Sequence, residues 1–306
     1  MVTLYGPGGV GKTRLAVEVT AHRSDICFVR LDPLHLGSEL AAAILTALGL
    51  RDSGLHAPSA LSADGRAEQR GSTPTARVIA ALASTSTLLV LDNCEHLVQA
   101  AAELVERILT YCPHVRVLTT SREPLRIAGE HLWPVQVLDE AAAARLFADR
   151  AAAVHPQFAL DQRTAEVVGE ICRRLDGLPL AIELAAARVR TVDVVDIAER
   201  LSDRFALLSR GSRTAAARHQ TLRAAVDWSW DLLTDAEHKV LRRLSVFAGG
   251  ADQPAAAWVC AVPETAESLE SLVDKSLLTV AGADTGCWTP SPHTPPSGWP
   301  RRTSRP

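Results

Sequence analysis

Gly6-Pro7-Gly8-Gly9-Val10-Gly11-Lys12-Thr13 fits the pattern G-x-x-x-x-G-K-[ST], set between a short apolar run and a helical one. Each fixed residue has a physical task. Gly6 and Gly11 permit a tight backbone path in which successive N–H groups point inward at phosphate oxygens. Lys12 supplies a cation for β- and γ-phosphates, and the Thr13 hydroxyl supplies a ligand for Mg²⁺. Gly8, Gly9, Val10 and Arg14 complete the predicted phosphate-binding segment. Val2-Thr3-Leu4-Tyr5 reads as a buried strand, and residues 13–20 read as a helix whose N-terminus faces the anion. Gly6, Gly8 and Gly11 also satisfy G-x-G-x-x-G, and Asp32 follows about 20 residues later, as a dinucleotide fold requires. Lys12 and Thr13 decide against that fold, which has no use for a cation and a hydroxyl there.

Composition sets wider bounds. With 306 residues, 47% of them hydrophobic, the chain can bury more than one core, and its length suggests about two domains. A net charge of −3 demands neither nucleic acid nor an anionic membrane. The cysteines at 27, 94, 112, 172, 260 and 287 include no C-x-x-C pair, so they read as buried or free thiols in a reducing cytosol. No apolar run approaches about 18 residues, and the start is a strand and loop rather than a signal peptide. The expectation is a cytoplasmic protein with no membrane partner.

Further along, residues 26–31 and 87–91 are strand candidates, and 37–48 and 75–83 have helical spacing; a surface loop is expected across 51–75. The run Leu88-Leu89-Val90-Leu91 ends in Asp92, where a carboxylate at the C-terminal end of a buried parallel strand can hold Mg²⁺. A helix cap is the competing role, because a helical stretch spans 96–110. Glu95 is the nearest further carboxylate able to orient a water as a base, or else an ordinary first-turn helix charge. The strand predicted over 115–120 leads into Ser121-Arg122-Glu123. From local pattern, Arg122 is either a reporter of a γ-phosphate or a solvated loop cation. A strand over 133–138 closes a parallel sheet with helices on both faces.

From Asp139 the pattern becomes helical, over 141–154, 162–175, 180–189 and 194–202. Gly177-Leu178-Pro179-Leu180 interrupts two of these helices as a turn with Pro near a helix start. A third unit begins near Arg213, with helices at 222–233, 235–245 and 268–275 and a strand at 277–280. Trp228, Trp230 and Trp258 read as core anchors. The Pro-rich stretch 285–306 lacks an apolar period and is expected to be disordered.

Taken together, the chain resembles the STAND class of signalling ATPases, and especially the NB-ARC-like modules of large LuxR-type and antibiotic-regulatory bacterial transcription regulators. The likeness rests on the phosphate-loop octet, LLVLDNCEH from Leu88, TTSRE from Thr119, GLPLA from Gly177, LSVFAGG from Leu244 and LVDKSLL from Leu272. It implies a P-loop nucleotide-binding α/β domain (1–138), a helical domain (139–212) and an incomplete winged-helix domain (213–283) around ATP or ADP and Mg²⁺. By the same likeness Asp92 is the Walker B acid, Arg122 senses the γ-phosphate, and Pro179 touches the base or ribose. ADP would hold a closed state, ATP would open it for self-association, and slow hydrolysis would time the switch. DNA would be met only through domains outside this chain.

Two departures from the family accompany this, one at each end: no sensor repeats or C-terminal helix-turn-helix are recognisable after the third unit. Met1 stands at the phosphate-loop strand itself, so the preceding adenine-holding segment is expected to be missing. A back-translation of residues 286–302 also spells VLDTIAAYAAERLAEA in another frame, an amphipathic helix; a frameshift near 281–286 and a truncated regulator are therefore expected. Two rival functions are a P-loop phosphotransferase acting on a small molecule, and direct DNA binding through Arg213, Arg218, Arg223, Lys239, Arg242 and Arg243.

Overall fold

Five short runs pair as one parallel sheet in the order β2-β3-β4-β1-β5. They are β1 (Val2–Tyr5), β2 (Ile26–Arg30), β3 (Leu88–Asp92), β4 (Arg116–Ser121) and β5 (His131–Pro134). The computed structural model describes residues 1–50, 73–201, 233–247, 250–275, 277–281 and 287–290. Parallel strands covered on both faces read as near-continuous apolar runs, and Leu89, Val90 and Leu91 of β3 are all fully buried. Successive side chains alternate between faces. Cys27, Val29, Leu89, Leu91 and Val117 share one core with α2 (Leu40–Ala47), α3 (Pro74–Leu82) and α4 (Val98–Tyr111). Val90 and Leu118, in register with each other, point the other way, and α1 (Lys12–Thr20) packs on β1, β3 and β4.

The chain divides into two compact units: Met1–Tyr5 with Lys12–Pro134, and Gly6–Gly11 with Val135–Pro306. In the second unit α5 (Glu140–Val154), α6 (Gln162–Arg174), α7 (Pro179–Ala186) and α8 (Val194–Arg200) enclose Phe147, Ile171, Ile182 and Ile197. Helix starts are fixed by side-chain caps: Asp139 accepts from the Ala142 N–H (2.7 Å), and Asp161 and Thr164 form a reciprocal capping box. A separate core joins the helices Asp235–Leu244, Gln253–Cys260 and Thr265–Asp274 through Leu241, Leu244, Ala256, Cys260, Leu269 and Leu272. There Glu237, 4% exposed, accepts from Lys275 Nζ (2.7 Å), Ser271 Oγ (2.5 Å) and the Thr234 N–H (2.6 Å). Burial raises the Glu237 carboxyl, but the hydrogen bonds from Lys275, Ser271 and Thr234 outweigh it and leave its pKa below the ordinary value.

Three expectations are corrected. The last sheet strand is His131–Pro134 rather than 133–138, because Val135 and Leu138 turn into the helical core and Leu138 N–H bonds the Gly177 carbonyl (3.0 Å). Trp258 is 85% exposed instead of anchoring a core: its helix buries Ala256 and Cys260, one turn apart, and Trp258 lies across from that face. Within the stretch expected to be disordered, Cys287–Pro290 forms β7, antiparallel to β6 (Leu278–Ala281). The backbone pairing there uses a Cys-Trp-Thr run suited to a strand despite its Pro-rich surroundings. The loop at 51–72, the helix at 222–233, Trp228, Trp230, Arg213, Arg218, Arg223 and the rest of the tail lie outside the described residues.

Candidate functional site

Asp92 ends β3 with no exposed surface. Its Oδ1 accepts hydroxyl hydrogen bonds from Thr13 at the start of α1 (2.7 Å) and from Thr120 of β4 (2.7 Å). Thr120 Oγ1 in turn accepts the Asn93 N–H (2.8 Å), so one hydroxyl fixes both the carboxylate and the chain that leaves it. Asp92 Oδ2 is buried and has no hydrogen-bond partner among the described residues. An unmatched buried carboxylate oxygen is costly. A hard divalent cation that takes oxygen ligands fits it, and the Thr13 hydroxyl lies on the neighbouring oxygen. Lys12, one residue before, is itself buried, whereas Arg14 is exposed.

Beyond Asp92 the backbone bends sharply. Asn93 takes φ 72°, a left-handed conformation that Asn tolerates better than most residues. The following turn, Cys94–His96, brings Glu95 inward to 8% exposure. His96 secures that turn: Nε2 lies 2.9 Å from the Leu31 carbonyl and 3.1 Å from that of Leu34. Two acceptors there assign the ring proton to Nε2, leaving Nδ1 to accept from the Asn93 side-chain amide (3.2 Å).

Arg122, directly after β4, is 6% exposed, and its Nε lies 3.3 Å from Glu95 Oε1. The structure thus brings together two residues that the sequence offered for separate roles. Downstream, the Glu130 carboxylate gathers the chain behind Arg122, accepting from the N–H groups of Leu125 (2.9 Å) and Arg126 (2.7 Å) and from Thr3 Oγ1 (2.5 Å). Thr3 also shares a hydrogen bond with Thr119 (2.7 Å). Thr120, His96 and Glu130 escaped sequence reasoning; polar residues within otherwise apolar strands, as in Thr119-Thr120, were the available signal for the first.

In the second unit, the loop Gly6–Gly11 places Val10 in the same core as α5 to α7. Gly9 has φ +81°, and a Cβ there would stand 2.8 Å from Leu180 Cβ. The Leu180 N–H donates to the Gly9 carbonyl (3.2 Å). Gly9 is therefore required twice, by backbone conformation and by the close approach of α7. Pro179 is the first residue of α7 and is partly buried; Gly8 is partly buried, and Gly6 and Gly11 have φ +148° and +102°. Of the basic residues proposed for DNA, Lys239, Arg242 and Arg243 are exposed, and the Arg243 guanidinium donates to the Cys260 carbonyl. Among the described residues no helix is long and apolar enough to cross a membrane, and Cys27, Cys94, Cys112, Cys172 and Cys260 are buried free thiols.

Residues 1–127 match the model of the family described as AAA domain. The chain is 44% identical over 289 residues to "Putative HTH-type transcriptional regulator Rv0890c" of Mycobacterium tuberculosis, covering 91% of this chain and 31% of that protein. It is 33% identical over 300 residues to "Regulatory protein AfsR" of Streptomyces coelicolor, covering 91% of this chain and 27% of that one. The chain therefore spans about a third or less of the length of these named regulators. With "Uncharacterized protein Rv0894" of Mycobacterium tuberculosis it shares 41% identity over 290 residues, covering 92% of this chain and 70% of its relative.

Proposed function

The chain belongs to a family of AAA-domain P-loop proteins with mycobacterial members, and from that membership we propose that it is the ATP- and ADP-binding switch of a transcription regulator. One observation carries the reading. A fully buried Asp92 receives the Thr13 hydroxyl on one oxygen and keeps its other oxygen without a partner among the described residues. That is the donor set a phosphate-bound Mg²⁺ needs, immediately after Lys12. In this reading Thr13 and Asp92 hold the metal, and Lys12 and the N–H groups of Gly8, Gly9, Val10 and Gly11 hold phosphates. Arg122 answers the γ-phosphate. Bound Mg²⁺ supplies charge neutralisation on the phosphate oxygens. The finer elements belong to the same proposal: slow hydrolysis, a closed ADP state opened by ATP, self-association of the open form, and a helical domain (139–212) followed by a winged-helix-like domain (213–283). The hydrogen bond from Leu180 N–H to Gly9 supports a route from phosphate loop to helices, with Pro179 beside it at the start of α7.

The test is equilibrium binding of ADP and of a non-hydrolysable ATP analogue, with and without Mg²⁺. Stoichiometric binding that Lys12→Ala abolishes, and whose Mg²⁺ dependence Asp92→Asn removes, is the expected result. A folded wild-type chain that takes up neither nucleotide sinks the proposal.

A further inference from the structure

Arg122 and Glu95 form an ion pair with side chains only 7% and 4% exposed. The pair is uneven. Glu95 Oε1 meets the guanidinium at 3.3 Å, while Glu95 Oε2 is buried without a hydrogen-bond partner among the described residues. A carboxylate that satisfies an arginine well uses both oxygens in a parallel fork. Here half of that capacity is unused, so Arg122 is held by a counter-ion that a stronger anion can outbid.

We propose that Glu95 is a positioning residue that holds Arg122 in reserve, so that competition between the Glu95 carboxylate and a γ-phosphate for one guanidinium sets the preference of this site for ATP over ADP. The inference rests on the nucleotide-switch reading and deepens it. Glu95 acts through charge, with no water activated and no bond made. The backbone is built for this holding function. The left-handed Asn93 and the His96 hydrogen bonds to the Leu31 and Leu34 carbonyls fix the Cys94–His96 turn that presents Glu95. On the other side, the Glu130 carboxylate holds the N–H groups of Leu125 and Arg126, three and four residues past Arg122. Both ends of the pair are thus anchored, and the long side chains are the parts able to move. ADP lacks the competing group, so with ADP the guanidinium stays with Glu95.

The experiment measures dissociation constants of Mg²⁺–ADP and of a Mg²⁺-bound non-hydrolysable ATP analogue for the full chain, Glu95→Gln, Arg122→Gln and the double variant. Removing the holding charge should raise the ADP-to-analogue ratio of dissociation constants by about tenfold, equivalent to about 1.4 kcal/mol. Arg122→Gln should lower that ratio to one common value whether or not Glu95 is also changed. A structural role for Glu95 shifts both nucleotides together and leaves the ratio unmoved, which overturns the proposal. Loss of hydrolysis in Glu95→Gln at an unchanged ratio assigns Glu95 as a base and overturns it equally. If Glu95→Gln does not fold, Glu95→Asp, which keeps the charge and shortens its reach, should raise the ratio in the same direction by a smaller factor. A wild-type chain that binds neither nucleotide removes the switch reading and this inference with it, an outcome distinct from binding with an unmoved ratio.

Discussion

Replacing Thr120 by Val isolates the contribution of one hydroxyl to the candidate site. The two side chains have nearly the same shape, so the change opens no cavity, and Thr120 is only 1% exposed. It removes an acceptor for the Asn93 N–H (2.8 Å) and a donor to Asp92 Oδ1 (2.7 Å). A buried N–H left without its acceptor costs about 1–3 kcal/mol, and a hydrogen bond to a charged group contributes about 1.5–3 kcal/mol. Thr13 still donates to the same Asp92 oxygen, so the lower half of the combined range applies, about 2.5–4 kcal/mol. At 1.4 kcal/mol for each factor of ten, amide exchange of the peptide spanning Leu88–Asp92 and Asn93 should speed up by about sixtyfold or more. The assay is hydrogen exchange with mass detection under conditions where closing outruns exchange. Thr120→Ser, which restores the hydroxyl without the methyl, serves as the control. If the Val and Ser variants protect this peptide equally, the hydroxyl is not the link between Asp92 and the turn, and the reasoning fails.

Two further outcomes follow from the second unit. Gly9→Ala should weaken nucleotide binding far more than Gly11→Ala, measured as dissociation constants beside thermal stability. Both positions have positive φ, costing about 1–2 kcal/mol for a residue with a Cβ, but only the Gly9 Cβ collides with Leu180 while open space surrounds that of Gly11. Glu237 has a depressed folded pKa, so its stabilisation is fully present above the ordinary carboxylate value and is lost as pH falls through the folded value. Unfolding of the segment 233–281 followed across that acidic window should show this loss in wild type and a flatter profile in Lys275→Met; parallel profiles would refute the pairing.

What the sequence disclosed and what it hid divide along a physical line. The strands were legible because parallel strands buried on both faces need unbroken apolar runs such as Leu88-Leu89-Val90-Leu91, and their C-terminal ends point to Asp92 and Arg122 without any tertiary knowledge. The glycine-rich loop was legible because backbone conformation restricts residue identity locally, and Gly6 and Gly11 do adopt positive φ. Pairings were not legible. Glu95 and Arg122 meet because β3 and β4 are neighbours in register, a fact that no spacing within either segment encodes. The same neighbourhood sets Thr120 beside Asp92, turning an unremarked strand residue into its hydrogen-bond donor. Size misled where pattern would have served: Trp258 was assigned to a core for its bulk, yet Ala256 and Cys260 mark the buried stripe of that helix. Composition misled at Cys287–Pro290, where prolines in the surrounding stretch obscured a run that pairs with Leu278–Ala281. Position along the chain offered Glu95 as a base near Asp92 or a first-turn helix charge, and gave no sign of the ion-pair partner that the sheet supplies. That partner is the buried guanidinium of Arg122, whose Nε lies 3.3 Å from one Glu95 oxygen, and only the pairing of β3 with β4 sets the two side by side.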